Sequence, residues 1–333
     1  MTTSEILAGL RNLRVLVAGD VCLDRWCRYD PALAEASAET GIPRIGVVAT
    51  EVTPGAAGTI ANNLAALGAG KVAVLGMVGD DGSGYELRSA LAARGISHEF
   101  LVDAPVVPTF TYTKLINART EEEDLPRVDF VYRNPLPESV ERQLIARLES
   151  AASDYDLILV SDQAETSQGG VVTPAVRDVL AHLALTRPDK LIWVDSRLRP
   201  EHFRHTVVKP NQHEAEAASM RVLGRVDYPE LRRRMQAPCL IVTHGGKGAL
   251  VVDDRGEQWV PAKAVANPVD ICGAGDSFSA GAAMALVVTG DPLQATRFGN
   301  LVAGITIMKK GTGTASPQEV GQASWPVHSE PRP

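Results

Sequence analysis

A short run near the carboxyl end of the chain combines residue types suited to chemistry on an anion. In Asp270–Phe278 (DICGAGDSF), Gly273, Ala274 and Gly275 open a predicted helix, and Asp276 lies in its first turn. Unpaired N–H groups and the dipole at a helix N-terminus favour an anion, and a carboxylate beside it can accept a proton from a hydroxyl group. Phosphoryl transfer to an alcohol requires these parts, although an ordinary helix start would use the same residues.

The pattern of the rest of the chain predicts an α/β fold. Short apolar runs such as Leu13–Ala18 and Lys71–Val78 are typical of buried strands, and they alternate with segments of helical periodicity. This alternation predicts a mostly parallel sheet with helices on both faces. Further strands are predicted at 157–160, 191–194 and 239–243, a hairpin at 248–260, and helices at 57–69, 85–94, 137–152, 170–186, 211–221, 227–237, 274–289 and 291–309.

Two segments, at about 29–51 and 108–131, fit this alternation poorly. Ile42–Val52 has the period of a strand exposed on one face, and Thr109–Ala118 with Arg127–Tyr132 predicts a hairpin. Residues 25–40 are predicted to be irregular. We expect these strands to leave the main sheet and form a small second one inside a single domain of residues 1–316. Residues 317–333, rich in Pro, Ser and Glu, are predicted to be a flexible tail.

Composition excludes several classes of protein. With 45% hydrophobic and 22% charged residues, the 333-residue chain is neither disordered nor collagen-like. A net charge of −7 without a basic block argues against nucleic acid as a partner. No apolar run reaches the roughly 18 residues of a membrane span, and residues 1–12 lack the features of a signal peptide. Four cysteines without metal-ligand spacing suit reduced thiols, so the expected location is cytoplasmic.

Two motifs together resemble those of one enzyme family. Asp270–Phe278 is similar to the C-terminal signature of the ribokinase, or phosphofructokinase B, family of sugar kinases. Pro54–Gly68 (PGAAGTIANNLAALG) resembles its N-terminal glycine-rich signature. The resemblance implies a ribokinase-like three-layer sandwich with a small β-strand lid. It also implies transfer of the γ-phosphoryl group of ATP to a sugar hydroxyl, with Mg²⁺ and K⁺ as cofactors, Asp276 as the base and the Gly273–Gly275 amides around the phosphoryl group.

Further segments are similar to one branch, the bacterial heptose 7-phosphate kinases. They are Gly19–Trp26 (GDVCLDRW), Thr113-Lys114, Arg127–Phe130 (RVDF), Val194–Arg197 (VDSR), Lys209–Asn211 (KPN) and Lys310–Ser316 (KGTGTAS). This resemblance implies D-glycero-D-manno-heptose 7-phosphate as the acceptor. A kinase of another sugar or a nucleoside, such as ribose or a fructose phosphate, and a non-catalytic sugar- or nucleotide-binding protein remain alternatives. The C-terminal nucleotidyltransferase domain that often follows in this branch is not expected within 333 residues.

The resemblance places seven residues at the sugar. Asp24, with Asp20 nearby, would bind sugar hydroxyls, and basic side chains on the hairpin would hold a phosphate. The full set is Asp20, Asp24, Gly55, Thr59, Asn63, Lys114 and Arg127. The family usually has Asn at position 59 and Gly at position 56, where this chain has Thr and Ala. Caps of turns and solvated surface charges are the alternative interpretations for the aspartates and the basic pair.

The second half of the chain would bind the nucleotide and the metals. The resemblance implies that Glu214 orders Mg²⁺ through water and that Asp270, with the loop before Ser316, holds a monovalent cation. The residues implied at the nucleotide are Arg197, Asn211, Glu214, Thr243, Gly245, Gly248 and Asn300. Ordinary helix capping is an alternative for Asn211 and Glu214.

The lid predicts an oligomer. Exposed strands have open edges, and pairing these edges between two chains would cover them. We therefore expect a homodimer that forms through the lid strands, with a sugar or sugar phosphate and ATP as the small-molecule partners and with no membrane partner.

Overall fold

Thirteen strands form two sheets in the computed structural model, which describes residues 1–163 and 169–323. The strands are β1 (Arg14–Gly19), β2 (Val21–Tyr29), β3 (Val47–Ala56), β4 (Lys71–Val78), β5 (Ser97–Asp103), β6 (Thr111–Asn117), β7 (Val128–Phe130), β8 (Leu157–Asp162), β9 (Leu191–Ser196), β10 (Val207–Val208), β11 (Leu240–Thr243), β12 (Gly248–Asp253) and β13 (Gly256–Pro261).

Ten α-helices are found in the same described residues. They are α1 (Thr3–Leu10), α2 (Ala57–Ala66), α3 (Gly82–Ala92), α4 (Glu138–Ala151), α5 (Pro174–Thr186), α6 (Gln212–Leu223), α7 (Tyr228–Met235), α8 (Ala274–Thr289), α9 (Pro292–Thr306) and α10 (Pro317–Gln322). No helix of this part of the chain is long and apolar enough to cross a bilayer.

The main sheet is parallel except at one edge. Its strand order is β13-β12-β11-β10-β9-β8-β1-β4-β5, and only β12 and β13 run antiparallel to their neighbours. Side chains of a strand alternate between the two faces, so Val15 and Val17 of β1 join one apolar core while Leu16 and Ala18 join the other. Helices cover both cores, which confirms the predicted ribokinase-like three-layer α/β sandwich.

The predicted second sheet is present and has the order β3-β2-β6-β7. Strand β2 pairs antiparallel with β3 and parallel with β6, and β6 forms the predicted antiparallel hairpin with β7. We call these four strands the lid sheet. Since β1 ends at Gly19 and β2 begins at Val21, the chain leaves the main sheet within one residue, at Asp20.

Several parts of the sequence differ from expectation. Residues 25–29, predicted to be irregular, belong to β2, because β3 and β6 pair with them on both sides. Helix α1 and strands β5 and β10 were not predicted. Residues 317–322, expected in a flexible tail, form α10, whose Val320 is fully buried and whose start carries a Ser316–Glu319 capping box. The remainder of the expected tail, residues 324–333, lies outside the described residues.

Candidate active site

The helix start singled out in the sequence has backbone groups available for an anion. Gly273 is the N-cap of α8 with φ of 75°, a left-handed conformation that favours glycine, and no described side chain caps this helix. We call Gly273–Gly275 the anion loop. The Ala274 N–H donates to Ile271 O, whereas the next N–H groups lie in the first turn, where a helix offers no acceptor. The anion loop therefore presents donors and the positive end of the helix dipole to one point.

Asp276 lies half-buried in the first turn of α8, next to the anion loop. Burial and, next, the charge of Asp195 raise the pKa of the Asp276 carboxyl to about 7, against the opposing charges of Lys209 and Arg197. The charge of Asp24 on the lid sheet also raises this pKa. A carboxyl group with a pKa near 7 exchanges a proton readily at neutral pH, which is what a general base requires.

A buried ion pair behind the anion loop was not selected from the sequence. Lys209 Nζ lies 2.7 Å from Asp195 Oδ2, and the two residues are only 4% and 5% exposed. The Ser279 hydroxyl of α8 donates to the same carboxylate at 2.8 Å. A Cβ atom on Gly275 would lie 3.5 Å from Lys209 Nζ, so the ammonium group borders the anion loop. The strand that ends before Lys209 was not predicted, and Asp195, the partner of Lys209, is distant in sequence, so no local signal marked the pair.

Asp24 projects from the lid sheet towards this centre. Its neighbour across β2 and β6 is Tyr112, and strand alternation puts Lys114 and Trp26 on the same face. The Cys22 thiol donates to Asp24 Oδ1 at 3.7 Å. Burial raises the pKa of the Asp24 carboxyl to about 6 despite that hydrogen bond and the charge of Lys114. Asp24 and Asp276, two carboxyl groups of raised pKa on different elements, are thus close enough for the charge of Asp24 to act on Asp276, and we call the space between them the cleft.

The glycine-rich segment lies between Asp24 and the anion loop, in contact range of both. A Cβ atom on Gly55 would lie 2.6 Å from Asp24 Oδ1 and 2.5 Å from Cys22 Sγ, so only glycine fits there. Ala56, where the family usually has glycine, has φ of 52° and ψ of −117°, a strained conformation for a residue with a Cβ atom. The Thr59 hydroxyl donates to Pro54 O at 3.4 Å, and its methyl group lies near Gly273.

Asn63 lies beneath the cleft rather than in it. It is fully buried on α2 and donates from Nδ2 to Thr59 O at 3.0 Å, while its Oδ1 has no hydrogen-bond partner among the described residues. With no exposed surface, its side chain cannot touch a sugar in this conformation, so the structure favours a structural role.

The two predicted phosphate ligands, Lys114 and Arg127, lie near Asp24 but are paired with carboxylates. Lys114 Nζ lies 3.3 Å from Glu123, and Arg127 lies 2.7 Å from Asp129 and over the ring of Tyr112. The charges of Lys114 and Arg127 both act on the carboxyl group of Asp24. They therefore lie near Asp24, but not as unpaired charges.

Asp20, directly after the end of β1, is joined to a neighbouring loop by hydrogen bonds. Its two carboxylate oxygens accept the N–H groups of Gln163 and Val171 at 2.8 and 2.7 Å. Burial, and then the charge of Asp162, raise the pKa of Asp20 to about 6. Asp162, at the end of β8, forms a buried bidentate ion pair with Arg199. Asp20 is thus mainly a positioning residue for the wall of the cleft, and sugar contact would be secondary.

The predicted nucleotide residues lie together at the ends of β9, β11 and α6. Asn211 and Glu214 form a capping box at the start of α6, in which each side chain accepts the backbone N–H group of the other residue at 2.8 and 2.9 Å. Both residues thus cap the helix, as ordinary helix capping would require. Thr243 bridges to Asn211 at the end of β11. Burial and Asp195 raise the pKa of Glu214, which is opposed by the Asn211 N–H bond and by the charges of Lys209 and Arg197. Arg197 itself is exposed, and Asp195 pairs with Lys209 instead of with Arg197.

The remaining predicted contacts follow the same edge of the sheet. Gly245 begins a 3₁₀ turn with positive φ. Gly248 has φ of 120°, and a Cβ atom on it would clash with Val260 O. The backbone at both positions therefore favours glycine. Asn300 of α9 donates to Val260 O and Pro261 O at 3.4 Å. Asp270 accepts N–H groups from Cys272 and Gly311 at 2.9 and 3.1 Å, which joins the segment before the anion loop to the loop before Ser316.

Sequence relatives support a kinase family. The profile of the pfkB family carbohydrate kinases matches residues 21–319. The bifunctional protein HldE of Pelobacter propionicus is 31% identical over 339 residues, which cover 98% of this chain and 66% of that protein. The HldE protein of Caulobacter vibrioides is 32% identical over 332 residues, covering 95% and 64%. The chain thus spans about two thirds of the length of these curated relatives.

Solved structures share the fold. Ribokinase from Thermotoga maritima has a TM-score of 0.68 at 20% identity, covering 93% of this chain and 99% of that one. Phosphofructokinase-2 from Escherichia coli in complex with fructose-6-phosphate has a TM-score of 0.69 at 20% identity, covering 93% and 98%. Because the sequence profile spans the lid sheet, the anion loop and most of the main sheet, the chain belongs to the pfkB family of carbohydrate kinases, phosphotransferases with a hydroxyl group as the acceptor.

Proposed function

We propose that this chain transfers the γ-phosphoryl group of ATP to a hydroxyl group of a sugar phosphate, with D-glycero-D-manno-heptose 7-phosphate as the first candidate acceptor. The observation that carries the proposal is the position of Asp276. Its carboxyl group, with a pKa of about 7, lies beside an uncapped helix N-terminus and opposite Asp24 of the lid sheet. A general base, an anion site and a group for sugar hydroxyls meet in one cleft.

The residues of the cleft divide the reaction between them. Asp24 accepts hydrogen bonds from sugar hydroxyls and orients the ring. Asp276 removes the proton of the reacting hydroxyl as its oxygen bonds to the γ-phosphorus and the bond to ADP breaks. The N–H groups of the anion loop, with Lys209 behind them, offset the charge on the transferred group. The lid sheet covers the acceptor and excludes water, which would otherwise hydrolyse ATP.

The charges around Glu214 fit a divalent cation. The charge of Asp195 raises the pKa of both Glu214 and Asp276, against the two cationic groups of Lys209 and Arg197. No group of three or more ligating side chains forms among the described residues, and Mg²⁺ commonly keeps most of its waters. Glu214 would hold such a hydrated ion through water, and the bound ion would neutralise charge on the phosphates of ATP.

Asp270 is our candidate for a monovalent-cation site. Its carboxylate ties Cys272, just before the anion loop, to Gly311 in the loop before Ser316. A cation bound by carbonyl oxygens of these two segments would shape the anion loop from below. Replacing KCl by choline chloride in the assay should then lower kcat, and equal rates in both salts would exclude such a role.

A heptose phosphate as the acceptor is supported by sequence similarity to heptose 7-phosphate kinases in Gly19–Trp26 and Lys310–Ser316. The cleft itself supports a sugar that carries an anionic group, since Lys114 and Arg127 border Asp24. Both side chains are paired with carboxylates, so they supply positive charge near the acceptor rather than direct ligands of its phosphate group.

A second copy of this chain is the partner that we propose for the lid sheet. Strands β3 and β7 are its two edges. Apolar side chains that are each at least 46% exposed lie on these strands and just before β3: Ile42, Ile45, Val47, Val48, Val128 and Phe130. Open edges with exposed apolar side chains are covered when two identical lids pair about a two-fold axis.

The test is a coupled ADP-release assay with Mg-ATP and a panel of sugars and sugar phosphates. We expect turnover with the heptose 7-phosphate, lowered about 10²- to 10⁴-fold in Asp276→Asn. Asp254→Asn, an exposed carboxylate on the β12–β13 turn, is the matched control and should retain full activity. Turnover with another sugar alone would keep the chemistry and change the acceptor. Binding of ATP without any turnover would instead establish a non-catalytic protein.

A further inference from the structure

A cavity of about 300 Å³ lies between the lid sheet and the carboxyl ends of β1 and β8. Its buried end is formed by Asp20, Cys22 and Gly170, and its exposed end by Val131 and Arg133. This volume is at the lower limit of the range for small-molecule sites, and it suits one sugar ring with a substituent.

The cavity lies next to the cleft of the proposed reaction. Cys22 lines it and donates its thiol hydrogen to Asp24, and Ala56, next to Gly55, lines it as well. The charges of Asp20, Asp24 and Asp276 all act on the Cys22 thiol. A sugar whose reacting hydroxyl lies between Asp24 and Asp276 would therefore extend its far end into the cavity.

Aromatic side chains form the sides of the cavity. Phe110, Tyr112 and Tyr132 are half-buried around it. Flat aromatic faces are apolar surfaces against which the C–H groups of a sugar ring pack, and such walls with few polar groups are typical of small-molecule sites.

Two charged side chains line the cavity in the described part of the chain, and they differ in availability. Both carboxylate oxygens of Asp20 accept hydrogen bonds from backbone N–H groups. Arg133 makes no ion pair or side-chain hydrogen bond with a described residue. Lys114 and Arg127, by contrast, are already paired with Glu123 and Asp129. The guanidinium group of Arg133 is thus the available cation at the exposed end.

We infer that Arg133 and the aromatic walls of this cavity form a subsite for the phosphate-bearing end of the acceptor. A planar guanidinium group binds a phosphate monoester through two parallel hydrogen bonds, which favours phosphorylated over neutral sugars. The inference rests on the proposed kinase function for its kinetic readout, and it names the substrate class as sugars with a terminal phosphate, the reacting hydroxyl being at the opposite end.

The experiment compares acceptors that differ only in the phosphate. Fructose with fructose 6-phosphate and D-glycero-D-manno-heptose with its 7-phosphate are assayed with the wild type, Arg133→Gln, Arg133→Lys and the control Arg142→Gln, an exposed arginine of α4. We expect Arg133→Gln to raise KM for the phosphorylated acceptor about 10- to 100-fold, in line with the loss of a charged hydrogen bond. KM for ATP should not change. Arg133→Lys keeps the positive charge, so it should raise KM for the phosphorylated acceptor less than Arg133→Gln does.

Calorimetric titration of the same phosphorylated sugars separates this inference from the proposed function. If the wild type shows no turnover but binds a sugar phosphate that Arg133→Gln binds at least tenfold more weakly, the subsite stands and the kinase proposal fails. If turnover occurs and Arg133→Gln leaves KM and affinity unchanged, the subsite is wrong and the kinase stands. A wild type that binds none of the phosphorylated sugars overturns the subsite whatever its activity.

Discussion

Lys209 Nζ lies 2.7 Å from Asp195 Oδ2 and 3.5 Å from the position of a Cβ atom on Gly275. The pair is buried, so each charge depends on the other for compensation. Because α8 also bonds to Asp195 through Ser279, the same pair fixes the helix that carries the anion loop. An ion pair between the ends of β9 and β10 therefore has consequences both for stability and for the position of Asp276.

We expect Lys209→Met to lower the free energy of unfolding by about 3–5 kcal/mol, since it leaves the Asp195 charge buried with the Ser279 hydroxyl as its remaining side-chain donor. Urea unfolding with linear extrapolation measures this loss. Arg142→Met, which removes an exposed pair with Glu138, should change it by less than about 1 kcal/mol. Adding Asp195→Asn should recover part of the loss, and a loss below about 1 kcal/mol in Lys209→Met alone would refute the argument.

The strands of the main sheet were predictable because their apolar runs are local signals. Lys71–Val78 was predicted with the bounds that the structure has, since burial on both faces favours a continuous apolar run. Residues 25–29 mix charged and aromatic side chains, and their strand is defined by pairing with β3 and β6 on either side. Such pairing depends on residues distant in sequence, which local patterns do not contain.

The capping of α10 was present in the sequence but was missed. Ser316 and Glu319 have capping-box spacing, with Pro317 at the first helical position. The abundance of Pro, Ser and Glu nonetheless predicted a flexible tail. The helix has a single buried side chain, Val320, whose packing against the main domain depends on the folded structure.

At the site, the family resemblance implied that the anion loop, Asp276 and Asp24 act on one substrate, and in the structure Asp24 lies close enough to affect the pKa of Asp276. Lys209 was missed because its importance comes from burial against Asp195, and a lysine after a strand is more often exposed. Arg133 follows the predicted hairpin without any motif, so only the shape of the cavity singles it out.

Activity should increase with pH through the neutral range. Asp276 acts as a base only when deprotonated, and its pKa is about 7, so kcat/KM should rise about tenfold per unit below pH 7 and level off above it. Below about pH 6 the rise should be steeper, because Asp24 then becomes protonated as well. A profile that is flat between pH 6 and 8, with chemistry rate-limiting, would exclude Asp276 as the base.

Removal of the positive charge of Arg197 tests independently in which direction the pKa of Asp276 moves. The Arg197 guanidinium lowers the pKa of Asp276, against the effects of Asp195 and Asp24, while Lys209 acts in the same direction as Arg197. We expect Arg197→Gln to shift the rising limb of the profile to higher pH, whatever it does to KM for ATP. Arg142→Gln, remote from the cleft, should leave the limb in place, and a shift to lower pH in Arg197→Gln would contradict the assignment.

Ala56→Gly should stabilise the chain. The φ of 52° and ψ of −117° at Ala56 strain a residue with a Cβ atom, and this relief outweighs the greater freedom of glycine in the unfolded chain. We expect a gain of about 1 kcal/mol in urea unfolding. Ala57→Gly is the matched control, one residue on and in the first turn of α2, where glycine should destabilise by about 0.5–1 kcal/mol. Equal losses in both variants would show that position 56 is unstrained.

Gly55→Ala should impair the acceptor site selectively. The added Cβ atom would lie 2.6 Å from Asp24 Oδ1 and 2.5 Å from Cys22 Sγ, so the Asp24 side chain must leave the position in which we propose that it binds the sugar. We expect KM for the acceptor to rise at least tenfold while KM for ATP stays within about twofold. Gly82→Ala, at the start of α3 with open space around it, serves as the control and should change neither constant. Equal effects on both substrates would point to general unfolding instead.

Size-exclusion chromatography with light scattering tests the partner of the lid sheet. At micromolar concentration we expect about twice the chain mass of 35.5 kDa. Val48→Glu with Phe130→Glu places charges on both edge strands and should give the monomer, because two identical lids would then bury like charges against each other. Leu185→Glu on α5, which is equally apolar and 61% exposed but remote from the lid, should leave the dimer intact. A monomeric wild type, or a dimer that only Leu185→Glu dissociates, would place any interface elsewhere.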